Sequence, residues 1–243
     1  MSYKERVTLV TGATRGIGRA CSEHLASQGH IIVGMARSAP TGDFPGESLI
    51  VDLADRGAAA EALSEVTQKF PINGIINNVG LTSHQRVEDY DLLDLDAEIQ
   101  VNLTCTVQCV QACVPQMKRE GFGRIVNISS ELVLGHCNRT GYTAAKAGLH
   151  ALARTWSYEL GTHGITVNNI APGPIETEMF TQRNPVGGEQ RDAKLAKIAM
   201  GRIGEPEDIA GAVAFFMDEK TSWITGQTLF VDGGSGLGGT GLL

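Results

Sequence analysis

Short apolar runs alternate with longer amphipathic segments along most of the chain. Each run is rich in Val, Ile and Leu and stops at glycine or a small polar residue, as strands buried on both faces do. Seven runs fit this description: RVTLVTG at 6–12, HIIVGMAR at 30–37, SLIVDLAD at 48–55, INGIINNVG at 72–80, GRIVNISS at 123–130, GITVNNIAPG at 164–173 and TGQTLFVDGG at 225–234.

Segments with helical periodicity separate these runs. They cover residues 13–29, 56–70, 92–120, 142–162 and 206–217. Strands that alternate with helices in this way form a parallel sheet with helices on both faces. The pattern therefore predicts the α/β class, with a single doubly wound parallel sheet.

Two segments interrupt the alternation. Residues 38–48 contain Pro and Gly where a helix would otherwise connect two strands, so we expect a short or irregular crossover. Residues 181–193 are polar and contain Gly and Pro, as in a mobile lid beside a pocket. Neither segment is a linker, so we expect one domain over residues 1–243 with a substrate lid at about 178–200.

Composition and charge narrow the function. The net charge is −7 and the pI is near 5.4, which disfavours nucleic acid and anionic membrane as partners. No apolar run approaches the roughly 18 residues of a membrane span, and no signal segment precedes the first strand. The cysteines number five, an odd count, and their spacing does not suggest disulfide pairs. This indicates a reducing compartment, so we expect a cytoplasmic protein. Cys105, Cys109 and Cys113 would form one helical stripe, interpreted as small buried side chains rather than a metal site.

The first strand-to-helix turn is glycine-rich. In TGATRGIG, the residues Gly12, Gly16 and Gly18 would allow a tight turn and a close approach of backbone N–H groups to a pyrophosphate. A glycine-rich turn without a ligand is the alternative. The position after the first strand of a strand-helix-strand unit favours a dinucleotide site and a Rossmann-like sheet.

Several motifs in the same order resemble the short-chain dehydrogenase/reductase family, and the resemblance covers essentially the whole chain. Besides the glycine loop they are NNVG at 77–80, VN at 101–102, NISS at 127–130, YTAAK at 142–146, PGPIET at 172–177 and GQTLFVDGG at 226–234. The chain looks most like the 3-oxoacyl-[acyl-carrier-protein] reductases. Val79 departs from the alanine that is usual in the family.

The resemblance implies a set of cofactor contacts. Asp52 would contact the adenine and Thr177 the nicotinamide carboxamide, with Ile175 packed nearby. The full set is Gly12, Thr14, Arg15, Gly16, Ile17, Gly18, Arg37, Asp52, Leu53, Asn78, Val79, Gly80, Tyr142, Lys146, Pro172, Gly173, Ile175 and Thr177.

Charge at the end of the second strand favours NADP(H) over NAD(H). A carboxylate at this position would bind the ribose hydroxyls of NAD, but Ala36 occupies it and Arg37 follows. Arg15 adds a second guanidinium that can bind phosphate. The alternative is that Arg37 is a solvated loop residue and that both cofactors are used.

Tyr142 and Lys146 stand four residues apart and share a helix face. A tyrosine can protonate a developing alkoxide if its pKa, ordinarily about 10, is lowered, and a nearby ammonium would lower it. The alternative is a packed tyrosine with a solvated lysine. The resemblance assigns catalysis to Ser130, Tyr142, Lys146 and Asn102, with Asn102 relaying protons through a bound water. Ser129 remains an alternative to Ser130, because the loop before Tyr142 is one residue shorter than usual.

The substrate is less well defined. We expect carbonyl reduction or alcohol oxidation, with a 3-oxoacyl thioester or similar small ketone as the leading substrate. A sugar, cyclic diol or other small alcohol is the alternative, and a non-catalytic cofactor-binding scaffold is a distant one. Arg86, Arg139 and Arg183 could meet an anionic substrate, although solvated loop arginines are the more common case for such a pattern.

The resemblance also implies partners. It implies a homotetramer, or a homodimer, formed through 92–120, 142–162 and the 226–234 edge, and the cysteine stripe would suit packing between subunits. Lys118, Arg119 and Arg124 could form a docking patch for an acidic carrier protein. His163 weakens this idea, because the carrier-dependent reductases commonly have Arg or Lys there.

Overall fold

A computed structural model describes residues 5–237 of the chain. It contains a seven-stranded sheet in the order β3-β2-β1-β4-β5-β6-β7, and every neighbouring pair is parallel. The strands are β1 (Val7–Thr11), β2 (Ile31–Ala36), β3 (Gly46–Ile50), β4 (Gly74–Asn77), β5 (Gly123–Ile128), β6 (Ile165–Pro172) and β7 (Thr228–Val231). The strand order reverses between β1 and β4, where sheets of this kind bind ligands.

Helices cover both faces of the sheet. They are α1 (Gly16–Ser27), α2 (Arg56–Lys69), α3 (Leu92–Ile99), α4 (Cys105–Glu120), α5 (Thr140–Leu160), α6 (Glu178–Arg183), α7 (Glu189–Leu195) and α8 (Pro206–Met217). Leu25 of α1 and Val213 of α8 belong to the core on one face. Leu63 of α2 and Met117 of α4 belong to the core on the other. The predicted α/β class and doubly wound sheet are confirmed.

The long helix predicted over 92–120 is divided. A π-helical turn, Gln100–Thr104, separates α3 from α4, and the backbone N–H of Cys105 donates to the carbonyl of Gln100. Such turns often mark functional positions. Asn102, the predicted catalytic asparagine, lies inside this turn and is only 1% exposed.

The two interruptions have different outcomes. The crossover between β2 and β3 contains no helix, as predicted. The polar segment 181–193 is more regular than expected, because it contains the end of α6 and the start of α7. Arg191 of α7 forms a two-point ion pair with Glu176, just before α6, which ties the two short helices together.

Two sequence interpretations are wrong. Cys105, Cys109 and Cys113 are small buried side chains, as predicted, but they pack into the core against the sheet and so cannot also supply a surface for a second subunit. Arg124 is 3% exposed and donates to the main-chain carbonyls of Gly123 and Gly164, so it cannot belong to a docking patch. Within residues 5–237, no helix is long and apolar enough to cross a membrane.

A row of amide side chains crosses the centre of the sheet. Asn77 on β4 donates to Asn127 on β5 at 2.9 Å, and Asn127 donates to Asn169 on β6 at 3.0 Å. Asn169 donates in turn to Thr228 on β7 at 3.1 Å. These pairs are opposite each other in the strand register, so the row stabilises the alignment of the strands whose ends form the site.

Candidate active site

A cavity of about 650 Å³ opens at the carboxyl ends of the strands. All but two of the predicted site residues line it: Gly12, Thr14, Arg15, Gly16, Ile17, Arg37, Asp52, Leu53, Asn78, Val79, Gly80, Ser130, Tyr142, Lys146, Pro172, Gly173, Ile175 and Thr177. Gly18 and Asn102 lie behind the wall and support it.

The glycine loop has the geometry of an anion cradle. Gly12 has a φ of +66°, a conformation that favours glycine. The helix α1 begins at Gly16, receives no capping hydrogen bond from the side chain of Arg15, and has no acidic residue in its first turn. Its first N–H groups and helix dipole therefore suit a phosphate, and the loop fits the pyrophosphate of a dinucleotide.

Gly18 lets α1 pack tightly behind the loop. A Cβ at this position would overlap the carbonyl oxygen of Gly12 and lie 2.6 Å from Nδ2 of Asn78. That amide donates to the carbonyls of Thr11 and Gly12 at 3.0 and 3.3 Å, and so it fixes the turn after β1. Gly18 and Asn78 together hold the cradle in shape.

The adenosine end of the cavity carries the expected charges, with one addition. Arg37 is exposed and follows β2, and Asp52 follows β3. Arg15 forms an ion pair with Glu178, at the start of α6, at 3.1 Å. Both side chains are 61% exposed, so the pair is weak and a bound phosphate could compete for Arg15.

Tyr142 lies beside Ser130 in the same cavity. Burial raises the pKa of Tyr142, while a hydrogen bond with Ser130 and the charge of Arg139 lower it, and the charge of Glu98 raises it further. Lys146 was predicted to lower this pKa, but in the structure the cation that lowers it is Arg139.

Lys146 is buried below Tyr142. Its Nζ lies 5.9 Å from the centre of the Tyr142 ring and donates to the carbonyls of Ile128 and Val79 at 2.8 and 3.4 Å. Burial lowers the pKa of Lys146 to about 8. This brings the ammonium group into the range where it can exchange protons near neutral pH.

The neighbouring serines point in different directions. Ser129 donates to the carbonyl of Lys146 at 3.2 Å and lies 2.7 Å from Nε2 of His150, which places its hydroxyl behind α5. Ser130 accepts a hydrogen bond from the backbone N–H of Leu132 at 3.2 Å and faces Tyr142. Of the two serines, only Ser130 is placed to share an oxygen ligand with Tyr142.

Asn102 fixes the loop after β4. Its side chain accepts from the N–H of Leu81 at 3.1 Å and donates to the carbonyls of Leu81 and Glu98 at 2.7 and 2.8 Å. The Asn102 side chain is buried, so it is not a solvated polar residue on a helix surface. Asn102 thus determines where Gly80 and its neighbours meet the cavity.

Sequence reasoning missed a buried carboxylate behind this loop. Glu98 is 1% exposed and accepts hydrogen bonds from the Tyr90 hydroxyl and the N–H of Ser83. Tyr90 accepts from the N–H of Gly141 at 3.1 Å, which joins the network to the start of α5. No motif marks Glu98 or Tyr90, because each acts through contacts distant in sequence.

Among residues 5–237, no group of three or more His, Cys, Asp or Glu side chains is arranged to hold a metal ion.

Fold and cavity together define the class of the protein as an oxidoreductase on a dinucleotide-binding sheet. A model of the family described as enoyl-(acyl carrier protein) reductase matches residues 12–236. The chain belongs to this family of short-chain dehydrogenases/reductases.

Individual relatives agree with this membership. The chain is 37% identical over 242 residues to the 3-oxoacyl-[acyl-carrier-protein] reductase FabG of Haemophilus influenzae, covering 94% of this chain and 97% of the relative. A solved structure described as a candidate 2-deoxy-D-gluconate 3-dehydrogenase of Agrobacterium tumefaciens, with bound NADP, is 33% identical. Its TM-score is 0.86, with 96% of this chain and 97% of that chain covered.

A third similar protein is a candidate NAD(P)-dependent gluconate 5-dehydrogenase of Beutenbergia cavernae, solved with bound NADP at low occupancy. It is 30% identical with a TM-score of 0.90, and the match covers 96% of this chain and 98% of that chain.

Proposed function

We propose that the protein is an NADP(H)-dependent oxidoreductase that interconverts a carbonyl and a secondary alcohol, with Tyr142 as general acid and base. The observation that carries the proposal is the placement of Ser130 beside Tyr142 in the cavity that also holds the uncapped glycine loop. The cofactor, when bound, supplies or accepts the hydride.

The protein's own side chains supply the proton and the positioning. Ser130 and Tyr142 bind the reacting oxygen, and in reduction the Tyr142 hydroxyl gives its proton to that oxygen. The charge of Arg139 stabilises the tyrosinate, and Lys146, with a pKa of about 8, passes a proton back. Asn102 holds the π-helical turn through which, as in the family, a water connects Lys146 to solvent.

Several residues would hold the cofactor. The glycine loop would bind the pyrophosphate, Asp52 and Leu53 the adenine side, and Thr177 with Ile175 the nicotinamide side. Arg37 and Arg15 favour a 2′-phosphate, since Ala36 occupies the position where a carboxylate would repel it. NADP in similar solved structures supports the same choice.

Two substrate classes have support. A 3-oxoacyl thioester or similar small ketone is favoured by the FabG relative. A sugar acid or related small alcohol is favoured by the structures described as gluconate dehydrogenases and by the cationic side chains Arg139, Arg183 and Lys194 in the cavity wall.

The same proposal includes the organisation of the protein. The chain acts as one dinucleotide-binding domain, with 178–200 as its substrate lid, in the cytoplasm. A homotetramer is supported by exposed apolar side chains on the surfaces that the family uses for assembly: Leu92, Leu93, Tyr158, Leu229 and Phe230.

Replacing Tyr142 by Phe tests the reaction. We expect kcat for ketone reduction with NADPH to fall by about 10²–10⁴-fold, as for loss of a general acid, while NADPH affinity changes little. The measurement is NADPH oxidation with a panel of β-ketoesters, diketones and keto sugars, with exposed Tyr158→Phe as the matched control. Wild-type rates in Tyr142→Phe would exclude the mechanism. Tight NADPH binding without turnover of any substrate would favour the cofactor-binding scaffold.

A further inference from the structure

Three cationic side chains lie near His84 at the wall of the cavity. Arg139 is the residue before the first residue of α5, Arg183 is the last residue of α6, and Lys194 lies in α7. All three line the cavity that contains Tyr142. Arg86, the other arginine considered from the sequence, does not line it and pairs with Glu88 at 3.5 Å.

Arg139 is held in a fixed position. Its Nη1 donates to the Thr82 hydroxyl at 2.6 Å and to the Ser83 carbonyl at 2.9 Å, while its Nε is buried without a partner among the described residues. Arg183 donates to the carbonyl of Thr82 at 3.4 Å. The guanidinium groups of Arg139 and Arg183 therefore both donate to Thr82, and the oxygens that accept are uncharged.

The cations repel one another, and the charges of Glu98 near Arg139 and of Glu131 near Lys194 offset this repulsion only in part. Burial, and after it the charge of Arg183, lowers the pKa of Arg139. Within residues 5–237, none of Arg139, Arg183 and Lys194 forms an ion pair with a carboxylate. Gathering like charges at a partly buried site is unfavourable, and an anion bound between them would remove the repulsion.

Nearby acidic side chains already have other partners. Glu131 lines the same cavity, but it accepts a hydrogen bond from Ser235, and burial raises its pKa. Glu98 accepts from Tyr90 and Ser83. Glu178 pairs with Arg15 at the cofactor end.

Arg139 lies close to the reacting group. It precedes Tyr142 by three residues, and its charge lowers the pKa of Tyr142, so the two side chains are neighbours. The cavity must hold a dinucleotide as well as the substrate. An anion on Arg139 would therefore lie only a few bonds from the carbon that reacts at Tyr142.

We propose that the substrate is a short keto acid or hydroxy acid, whose carboxylate is bound by Arg139 with Arg183 and Lys194 of the lid. The inference rests on the proposed oxidoreductase function and chooses between its two substrate classes. The bound carboxylate fixes the position of the substrate in the cavity, so that its carbonyl carbon lies beside Tyr142. A carrier-bound 3-oxoacyl chain has no anionic group so close to its ketone.

Matched ketones with and without the charge test the inference. The pairs are 3-oxobutanoate with its methyl ester and 4-oxopentanoate with its methyl ester, each assayed with NADPH. We expect kcat/KM of wild type to be about tenfold or more higher for the acid of the preferred length, as expected for a charge-assisted hydrogen bond. Arg183→Met and Arg139→Met should reduce this ratio towards one, and Arg86→Met should leave it unchanged.

The outcomes separate this inference from the proposed function. Equal kcat/KM for acid and ester in wild type, or variants that lower both equally, would overturn the inference and leave the oxidoreductase function standing. If no ketone is reduced, the binding of 4-oxopentanoate in the presence of NADPH is measured by calorimetry instead, and this binding tests the anion site. Binding that is lost in Arg183→Met, an exposed position whose replacement does not threaten folding, supports the anion site, and equal or absent binding refutes it.

Discussion

Single side chains at the two ends of the cavity determine what can bind there. At the substrate end Arg139 lowers the pKa of Tyr142, which burial raises. At the cofactor end Arg37 stands exposed after β2, where the chain carries no carboxylate. Each side chain contributes through its charge, so charge-reversing substitutions are the informative experiments.

Arg37→Asp should change the cofactor preference. The new carboxylate would repel a 2′-phosphate and accept a hydrogen bond from the ribose hydroxyls of NADH. We expect kcat/KM for NADPH to fall by roughly 10–100-fold, the equivalent of one charged hydrogen bond, and that for NADH to rise. Arg119→Asp, an exposed site on α4, is the control. An unchanged NADPH preference would show that Arg37 does not contact the phosphate.

His30 should make stability depend on pH. It is 6% exposed and lies 2.8 Å from the hydroxyl of Thr8. Burial, aided by the charge of Arg6, lowers its pKa from 6.5 to about 4. The unfolded chain binds the proton more readily, so this stability is fully present above pH 6.5 and is lost as pH falls towards 4.

The expected loss is about 3 kcal/mol of the free energy of unfolding. Urea denaturation at pH 7.5, 6.5 and 4.5 would measure it. The His30→Gln variant, which cannot titrate, should show a shallower decrease across the same range. Parallel curves for the two proteins would show that another group causes the acid sensitivity.

At the scale of elements, the site depends on how closely α1 approaches the turn after β1. Gly18 is the contact point, since a Cβ there would overlap the carbonyl oxygen of Gly12. The loop and the helix N-terminus are thus one unit. Any displacement of α1 moves the N–H groups that would bind the pyrophosphate.

Gly18→Ala should therefore impair cofactor binding. We expect NADPH affinity to fall by about tenfold or more and the protein to lose about 1–3 kcal/mol of stability from overpacking. Gly211→Ala in α8 is a matched control, because its Cβ would meet nothing within 4 Å and the change should be neutral or stabilising. Fluorescence titration with NADPH and urea denaturation of both variants would test this. Unchanged affinity in Gly18→Ala would remove the proposed role of the contact.

The sequence predicted β1, β2, β4, β5 and β6 well because these strands are buried on both faces and end at a turn-forming residue. The third strand was less well predicted, since β3 is mostly exposed and shares only residues 48–50 with the predicted run 48–55. It did not reveal the π-helical turn at Gln100–Thr104, since the hydrogen bonds that distinguish this turn from an α-helix leave no mark on periodicity. Arg124 looked like a surface charge because its partners, Gly164 and Asp218, are distant in sequence. The Glu98 network was missed for the same reason.

At the scale of the whole molecule, apolar side chains remain uncovered on two surfaces. Trp223 is 99% exposed and Tyr158 is 90% exposed. The strand β7 lies at the end of the sheet and exposes Leu229 and Phe230. Exposed apolar side chains grouped in this way are typical of protein interfaces.

Charged residues at the sheet edge should dissociate the proposed tetramer. We expect Phe230→Glu to shift the protein to dimers or monomers in light scattering coupled to size exclusion, because a carboxylate would be buried in the interface. Val186→Glu, at an exposed lid position, is the control. A Phe230→Glu protein with the mass of wild type would exclude this surface from the assembly.

The ion pair between Arg15 and Glu178 has a consequence for substrate binding. It joins the glycine loop to the first residue of α6, whose last residue is Arg183 at the substrate end. Phosphate binding to Arg15 would release Glu178 and alter the segment that supplies the substrate's partners. Because the pair is weak, we expect NADPH to strengthen the binding of a ketone analogue by at most about fivefold, measured by calorimetry with and without NADPH. Glu178→Gln, which weakens the connection, should reduce this difference.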